Sequence, residues 1–351
     1  MPASSDHSRC SHAGCTHAHH DHAHHEDHAH HAHGPDATRR IYVYSPSGAV
    51  QDRAAFRRGI KRLRQWGHHV DVDEAALLRH TRFAGDDATR IAAIHRAARS
   101  GADVALISRG GYGITRLLDQ LDYALIARAI DQGTQFVGFS DFTALQLAVL
   151  ASTGRVTWAG ASLGVDFGAQ PEPDEITVAC FEDALYGVGE GTGWRVGKDS
   201  LGHDGLEVAD ATLWGGNLAV LTALVGTPHL PQVDDGILFL EDVGESPYRI
   251  ERMLLQLEMA GILQRQQAVL MGQFTEARVT PHDRGFRLQT VIDGLRERLS
   301  RHGIPLLSNL PFGHVSTKVS LPVGAKVCLQ QQGRDALLLW GHLPGAHGHG
   351  T

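Results

Sequence analysis

From residue 41 onward, apolar positions fall in short runs separated by segments of helical period. Residues 41–44 form a β-type run that ends in the turn sequence Ser45-Pro46-Ser47-Gly48. Ala54, Ile60 and Leu63 then share one helix face, with Arg57, Arg58 and Lys61 on another. Val70 and Val72 predict a strand, and Asp86 or Asp87 is placed to cap a helix through Ile91, Ile94 and Ala98. Residues 103–107 and 136–139 predict two further strands. The βαβα order predicts a mostly parallel sheet with helices on both faces.

The regularity fades over 164–205, where Pro171 and Pro173 precede a helix predicted over 174–185 and then glycine-rich turns. Strands predicted at 236–240, 268–271, 326–330 and 336–340 mix with helices at 218–224, 246–259 and 286–299. The expected division is an N-terminal α/β domain over 41–165, a connection over 166–205 and a smaller β-rich domain over 206–346. No internal repeat of fixed period is visible.

Residues 1–40 stand apart. They hold half of the chain's 24 histidines and almost no large apolar residue, so they are expected to be disordered in isolation. The pairs His19-His20, His24-His25 and His30-His31, with Cys10 and Cys15, suit a borderline ion such as Zn²⁺ or Ni²⁺.

Composition narrows the rest. A chain of 351 residues with 42% hydrophobic and 20% charged residues is long enough for two domains. A formal net charge of −7 offers no basic surplus for nucleic acid or an anionic membrane. The longest apolar run, 144–150, is broken by Gln146 and cannot span a bilayer. With no signal-peptide pattern, the expected compartment is the cytoplasm. Cys180 and Cys328 read as buried thiols.

Four segments carry candidate chemistry. In Phe136-Val137-Gly138-Phe139-Ser140-Asp141-Phe142-Thr143 an apolar strand runs into a helix with a serine at the junction. That is the layout of a nucleophile elbow, although a helix-capping serine gives the same pattern. The N–H of Asp141 would be the first oxyanion donor. Arg109-Gly110-Gly111-Tyr112-Gly113 follows a predicted strand, where glycines permit close backbone approach to a ligand or simply make a turn. Leu238-Phe239-Leu240-Glu241-Asp242 ends a strand in two acids, one of which could orient a histidine. Pro311-Phe312-Gly313-His314 places a histidine in a loop, in competition with His203, His229 and His282.

Taken in order, these pieces resemble the LD-carboxypeptidases, a family of serine peptidases. The likeness runs from about residue 41 to about residue 343 and includes Phe83-Ala84-Gly85, Leu213-Trp214-Gly215-Gly216-Asn217 and the segment from Pro247 to Leu254. It implies Ser140 as nucleophile, Glu241 as the acid and His314 as the base, with no metal or cofactor required for catalysis. It implies a Rossmann-like N-terminal domain, a barrel-like C-terminal domain, a site between them and a homodimer. The implied substrate is a murein tetrapeptide, cut before its terminal D-alanine during cell-wall recycling. Asp141 and Gly111 would supply the oxyanion donors. Arg109, Gly110 and Arg249 are candidates for substrate binding, with surface or interdomain ion pairing as the plainer role of either arginine. A related activity, hydrolysis of peptide–nucleotide antibiotics for self-immunity, goes with an Asn-Ser type sequence where Tyr112-Gly113 stands here. A metal-binding protein with an inert body, or a non-catalytic binder of murein fragments, are the competitors from other classes.

Overall fold

The computed structural model describes residues 38–341 and 343. The candidate metal ligands His19, His20, His24, His25, His30 and His31 lie outside them. In chain order the elements are β1 (Arg40–Tyr44), α1 (Arg53–Gln65), β2 (His69–Val72), α2 (Asp87–Arg99), β3 (Val104–Ile107), α3 (Tyr123–Asp131), β4 (Gln135–Gly138), α4 (Thr143–Thr153), β5 (Thr157–Ala159) and α5 (Glu175–Tyr186). There follow β6 (Gly191–Arg195), β7 (Glu207–Asn217), α6 (Leu218–Ala223), β8 (Gly236–Val243), α7 (Pro247–Met259), β9 (Gln266–Thr275), α8 (Leu288–Ser300), β10 (Leu306–Leu307), β11 (Leu321–Val323), β12 (Lys326–Gln332) and β13 (Asp335–Leu339).

The architecture is mixed α/β with two sheets. The first has the order β11-β5-β4-β3-β1-β2. Strands β2 to β5 and β1 are parallel, and β11 adds antiparallel to β5. Every residue of β3 and β4 is buried, as expected of central strands covered on both faces. The order reverses between β1 and β3. In parallel sheets ligands gather outside the carboxyl ends of strands at such a point, and here the Ser45–Gly48 and Arg109–Gly113 turns leave those ends.

The second sheet runs β10-β9-β8-β7-β12-β13-β6 in one open series. Strands β7 to β10 pair in parallel, and the β12 side is antiparallel. Helix starts follow their caps: Asp52, Asp86 and Asp174 accept backbone N–H bonds at α1, α2 and α5.

Apolar clusters join the two sheets. Apolar residues from α4 (Leu145, Leu147) pack in the same cluster as Trp214, Leu218, Leu240 and Leu254. Beyond His314 the chain returns to the first sheet through β11. That return is pinned by Lys318, whose ammonium donates to the Asp166 carboxylate with both side chains buried. Asp166 also accepts from the Ser162 N–H (2.7 Å), and the Lys318 ammonium lies 4.9 Å from the Phe139 ring centre. Cys180 and Cys328 are part-exposed rather than buried. No helix among the described residues is long and apolar enough to cross a membrane.

Removing one partner of a buried ion pair strands the other charge. Lys318→Met is therefore expected to lower unfolding free energy by about 3–5 kcal/mol in urea titration. Adding Asp166→Asn, which removes the stranded charge but keeps an oxygen for Ser162, should recover more than half. A Lys318→Met midpoint at the wild-type value would contradict this role.

Candidate active site

Strand β4 delivers the chain to Ser140 through Gly138 and Phe139. Ser140 has φ of 66°, a left-handed conformation that costs energy for a side chain with a Cβ. Its neighbour Phe139 is extended, and residues 140–142 form a 3₁₀ turn leading into α4. No side-chain capping bond is made there, so the hydroxyl is not used as a helix cap. The turn instead presents Oγ to His314.

The His314 Nε2 lies 3.0 Å from Ser140 Oγ, and its Nδ1 lies 2.8 Å from Glu241 Oε2. A carboxylate oxygen only accepts, so Nδ1–H donates to Glu241 and Nε2 is left to accept the Ser140 O–H. The imidazole packs 5.0 Å from the Phe139 ring and is 22% exposed, whereas Glu241 is 0% exposed. Gly313, at φ 136°, lets the backbone pass Glu241, since a Cβ there would stand 3.1 Å from Glu241 Oε2.

Glu241 ends a parallel ladder in which Asn217 of β7 is its register partner on β8. Asn217 Nδ2 donates to Glu241 Oε1 and to Asp242 Oδ1, each at 3.1 Å. Asp242 also accepts from the Val243 and Ala219 N–H groups. Burial lifts the Asp242 carboxyl to about 6, with the Glu241 charge adding and these N–H bonds opposing.

The loops around Ser140 are tied by the side chain of Asp141. Its buried carboxylate accepts from Ser47 Oγ and from the Ile114 N–H, so one acid joins the ends of β1, β3 and β4. Burial raises its pKa, with the Ser47 and backbone bonds opposing. Gly110 lies against the serine: a Cβ on it would stand 2.8 Å from Ser140 Oγ and 3.4 Å from the Asp141 nitrogen. The Gly111 N–H has no acceptor among the described residues.

The two candidate arginines part ways. Arg249 is exposed and already paired with Glu245. Arg109 is part-buried and donates to the Ala49 carbonyl at 3.1 Å. Among the described residues no group of three or more His, Cys, Asp or Glu is arranged to hold a metal ion. Sequence reasoning passed over the carboxylate of Asp141, the Asn217 bridge and the Lys318–Asp166 pair. Asn217 did sit in a quoted motif, but its link to Glu241 depends on strand register, which local patterns do not carry.

Residues 41–160 match the model of the LD-carboxypeptidase N-terminal domain, and residues 210–329 match that of the LD-carboxypeptidase C-terminal domain. The structure of muramoyltetrapeptide carboxypeptidase from Oxalobacter formigenes superposes with a TM-score of 0.77 at 37% identity, covering 87% of this chain and 99% of that one. A putative carboxypeptidase of Synechocystis is 34% identical over 82% of this chain and 90% of its own length. A probable murein peptide carboxypeptidase of Bacillus subtilis is 30% identical over 81% and 86%. The microcin C7 self-immunity protein of Escherichia coli is more distant, at 26% identity over 63% and 69%.

Because its folded pKa exceeds the unfolded value of about 3.9, Asp242 adds stability that is complete below that value and is lost as pH rises through about 6. Urea unfolding at stepped pH should show Asp242→Asn gaining on wild type by up to about 3 kcal/mol between pH 4 and pH 7. A difference independent of pH would contradict the assignment.

Proposed function

This chain belongs to the LD-carboxypeptidase family, and from that premise we propose that it is a serine carboxypeptidase that removes the terminal D-alanine of murein tetrapeptides. The proposal places it in the cytoplasm, as a homodimer, in the recycling of cell-wall peptides. The observation that carries it is the hydrogen-bonded series Ser140–His314–Glu241 beside two glycines at the mouth of the first sheet.

The chemistry follows from that order of donors and acceptors. As Ser140 Oγ bonds to the scissile carbonyl carbon, its proton passes to His314 Nε2. Glu241 holds the Nδ1–H tautomer and stabilises the imidazolium. The charge on the carbonyl oxygen is received by the N–H groups of Asp141 and Gly111, at the positive end of the α4 turn. His314 then gives its proton to the D-alanine nitrogen, the C–N bond breaks, and the amine leaves. Water, deprotonated by the same imidazole, attacks the ester carbonyl carbon. The ester C–O bond breaks, the tripeptide acid is released, and the proton returns to Ser140 Oγ. The left-handed Ser140 is held by Asp141 on one side and the Phe139 strand on the other, which keeps Oγ clear of its own helix.

Likeness to the self-immunity protein makes a peptide–nucleotide conjugate the other substrate to test. In Arg109-Gly110-Gly111-Tyr112-Gly113 the tyrosine and glycine follow the paired glycines, which supports the murein peptide. Mass spectrometry of a murein tetrapeptide after incubation should show loss of one D-alanine only. Ser140→Ala should lower kcat by roughly 10⁴–10⁶-fold, and Glu241→Gln by about 10⁴-fold, with unfolding midpoints retained. Near-wild-type release by folded Ser140→Ala would overturn the proposal, and cleavage of the nucleotide conjugate alone would redirect it.

A further inference from the structure

The loop that carries His314 is closed at its base, where the Val319 N–H donates to the Pro311 carbonyl at 2.9 Å. Its entry is fixed to the second sheet. The Gln273 N–H donates to the Phe312 carbonyl (2.8 Å), and Gln273 Nε2 donates to that of Leu310 (3.1 Å). Its exit is held from elsewhere, by the start of α5.

There two side chains of one helix cap reach onto the loop. Asp174 caps α5 by accepting the Thr177 N–H on Oδ1 (2.9 Å), while its Oδ2 accepts from Thr317 Oγ1 (2.6 Å). The buried Thr177 hydroxyl accepts the Lys318 N–H and donates to the Ser316 carbonyl, both at 2.9 Å. The Ser316 oxygen is the nearer of its two acceptors, since Asp174 Oδ1 lies at 3.2 Å. A hydroxyl has one proton to give and two lone pairs, so Thr177 serves the loop as donor and acceptor together. Capping the helix requires only the Asp174 carboxylate. The bonds to residues 316, 317 and 318 go beyond what starting a helix demands.

The start of α5 is itself anchored to the first sheet's helix α1. Arg58 donates twice to the Gly168 carbonyl (3.0 and 2.8 Å), and Arg62 donates to that of Phe167 (3.0 Å). Phe167 packs edge-on against Phe181 of α5, ring centres 4.8 Å apart. Contacts therefore run from α1 through the 166–177 segment to the residues just past His314. We infer that Thr177 is a positioning residue for His314, acting with Asp174 through the backbone of residues 316–318. Thr177 touches none of the reacting atoms. With the loop's entry and exit both tied, the imidazole keeps Nε2 at 3.0 Å from Ser140 Oγ. Release of the exit leaves residues 314–317 free to shift, and attack falls steeply with such displacement. The connection between the two sheets thus sets the geometry of the base. The inference rests on the peptidase reading above, in which His314 takes the Ser140 proton.

The test reads Ser140 directly by its labelling with a fluorophosphonate, followed as intact protein mass, with Ser140→Ala as the blank. The Oγ–P bond forms, the P–F bond breaks, fluoride leaves and the hydroxyl proton passes to His314. Thr177→Val keeps the branched shape and deletes the hydroxyl. It should slow labelling about 10–100-fold, whereas Thr177→Ser should stay within about threefold of wild type. On a murein tetrapeptide the same loss should fall on kcat, with KM unchanged. Thr317→Val removes only the bond to Asp174, should slow labelling about tenfold, and decides the matter if Thr177→Val does not fold. Asp122→Ala deletes the cap of α3 and should lower the unfolding midpoint while labelling at the wild-type rate. A wild-type rate in the deciding valine variant, or a slowing equalled by Asp122→Ala, overturns the positioning role and leaves the peptidase reading standing. A wild type that is not labelled removes the peptidase reading and this inference with it.

Discussion

A carboxylate with no solvent contact is the constraint around which this molecule is arranged. Glu241 sits at the end of β8 where water cannot reach it, and an unpaired charge there would cost several kcal/mol. His314 Nδ1 and Asn217 Nδ2 supply the donors. Meeting that requirement fixes the register of β7 on β8, the glycine at 313 and the orientation of the imidazole. The acceptor face of His314 is then aimed at Ser140 by the same bonds that satisfy the acid. Stability and chemistry are thus coupled through one side chain.

The site also depends on three stretches of chain converging from the two sheets and the segment that links them. Ser140 comes from the first sheet, Glu241 from the second, and His314 from the segment that leaves the second sheet to become β11 beside β5. The buried Lys318–Asp166 pair holds that return four residues beyond the histidine. Asp141 does the corresponding work at the other side, gathering the ends of β1, β3 and β4. Ser140 and His314 are part-buried at a seam whose supports are fully buried, an arrangement that limits how far the imidazole can drift from the hydroxyl.

Much of this was legible in residue order. Strands β1, β3 and β4 are apolar runs because both faces of a parallel sheet are covered, and the serine at the end of β4 read correctly as a junction residue. Other features were hidden for identifiable reasons. Strand β7 was not read because Asp210, at positive φ, interrupts its alternation near a register shift in β12. Strand β6 looked like glycine-rich turn because it is an edge strand paired only with β13. The Asp141 side chain suggested an ordinary acid at a helix start, and nothing local shows that it turns inward to Ser47. Choosing His314 over His203 or His229 needed the family likeness, since the meeting of residues 140, 241 and 314 depends on sheet order and register.

The central claim is that Ser140 and His314 act as one unit. The most direct measurement is kcat/KM on a murein tetrapeptide for Ser140→Ala, His314→Ala and the double variant. Groups that share one proton transfer should give a double variant no slower than the slower single, because losing either partner already ends nucleophilic attack. Losses that multiply in the double variant would show two independent contributions and contradict the relay.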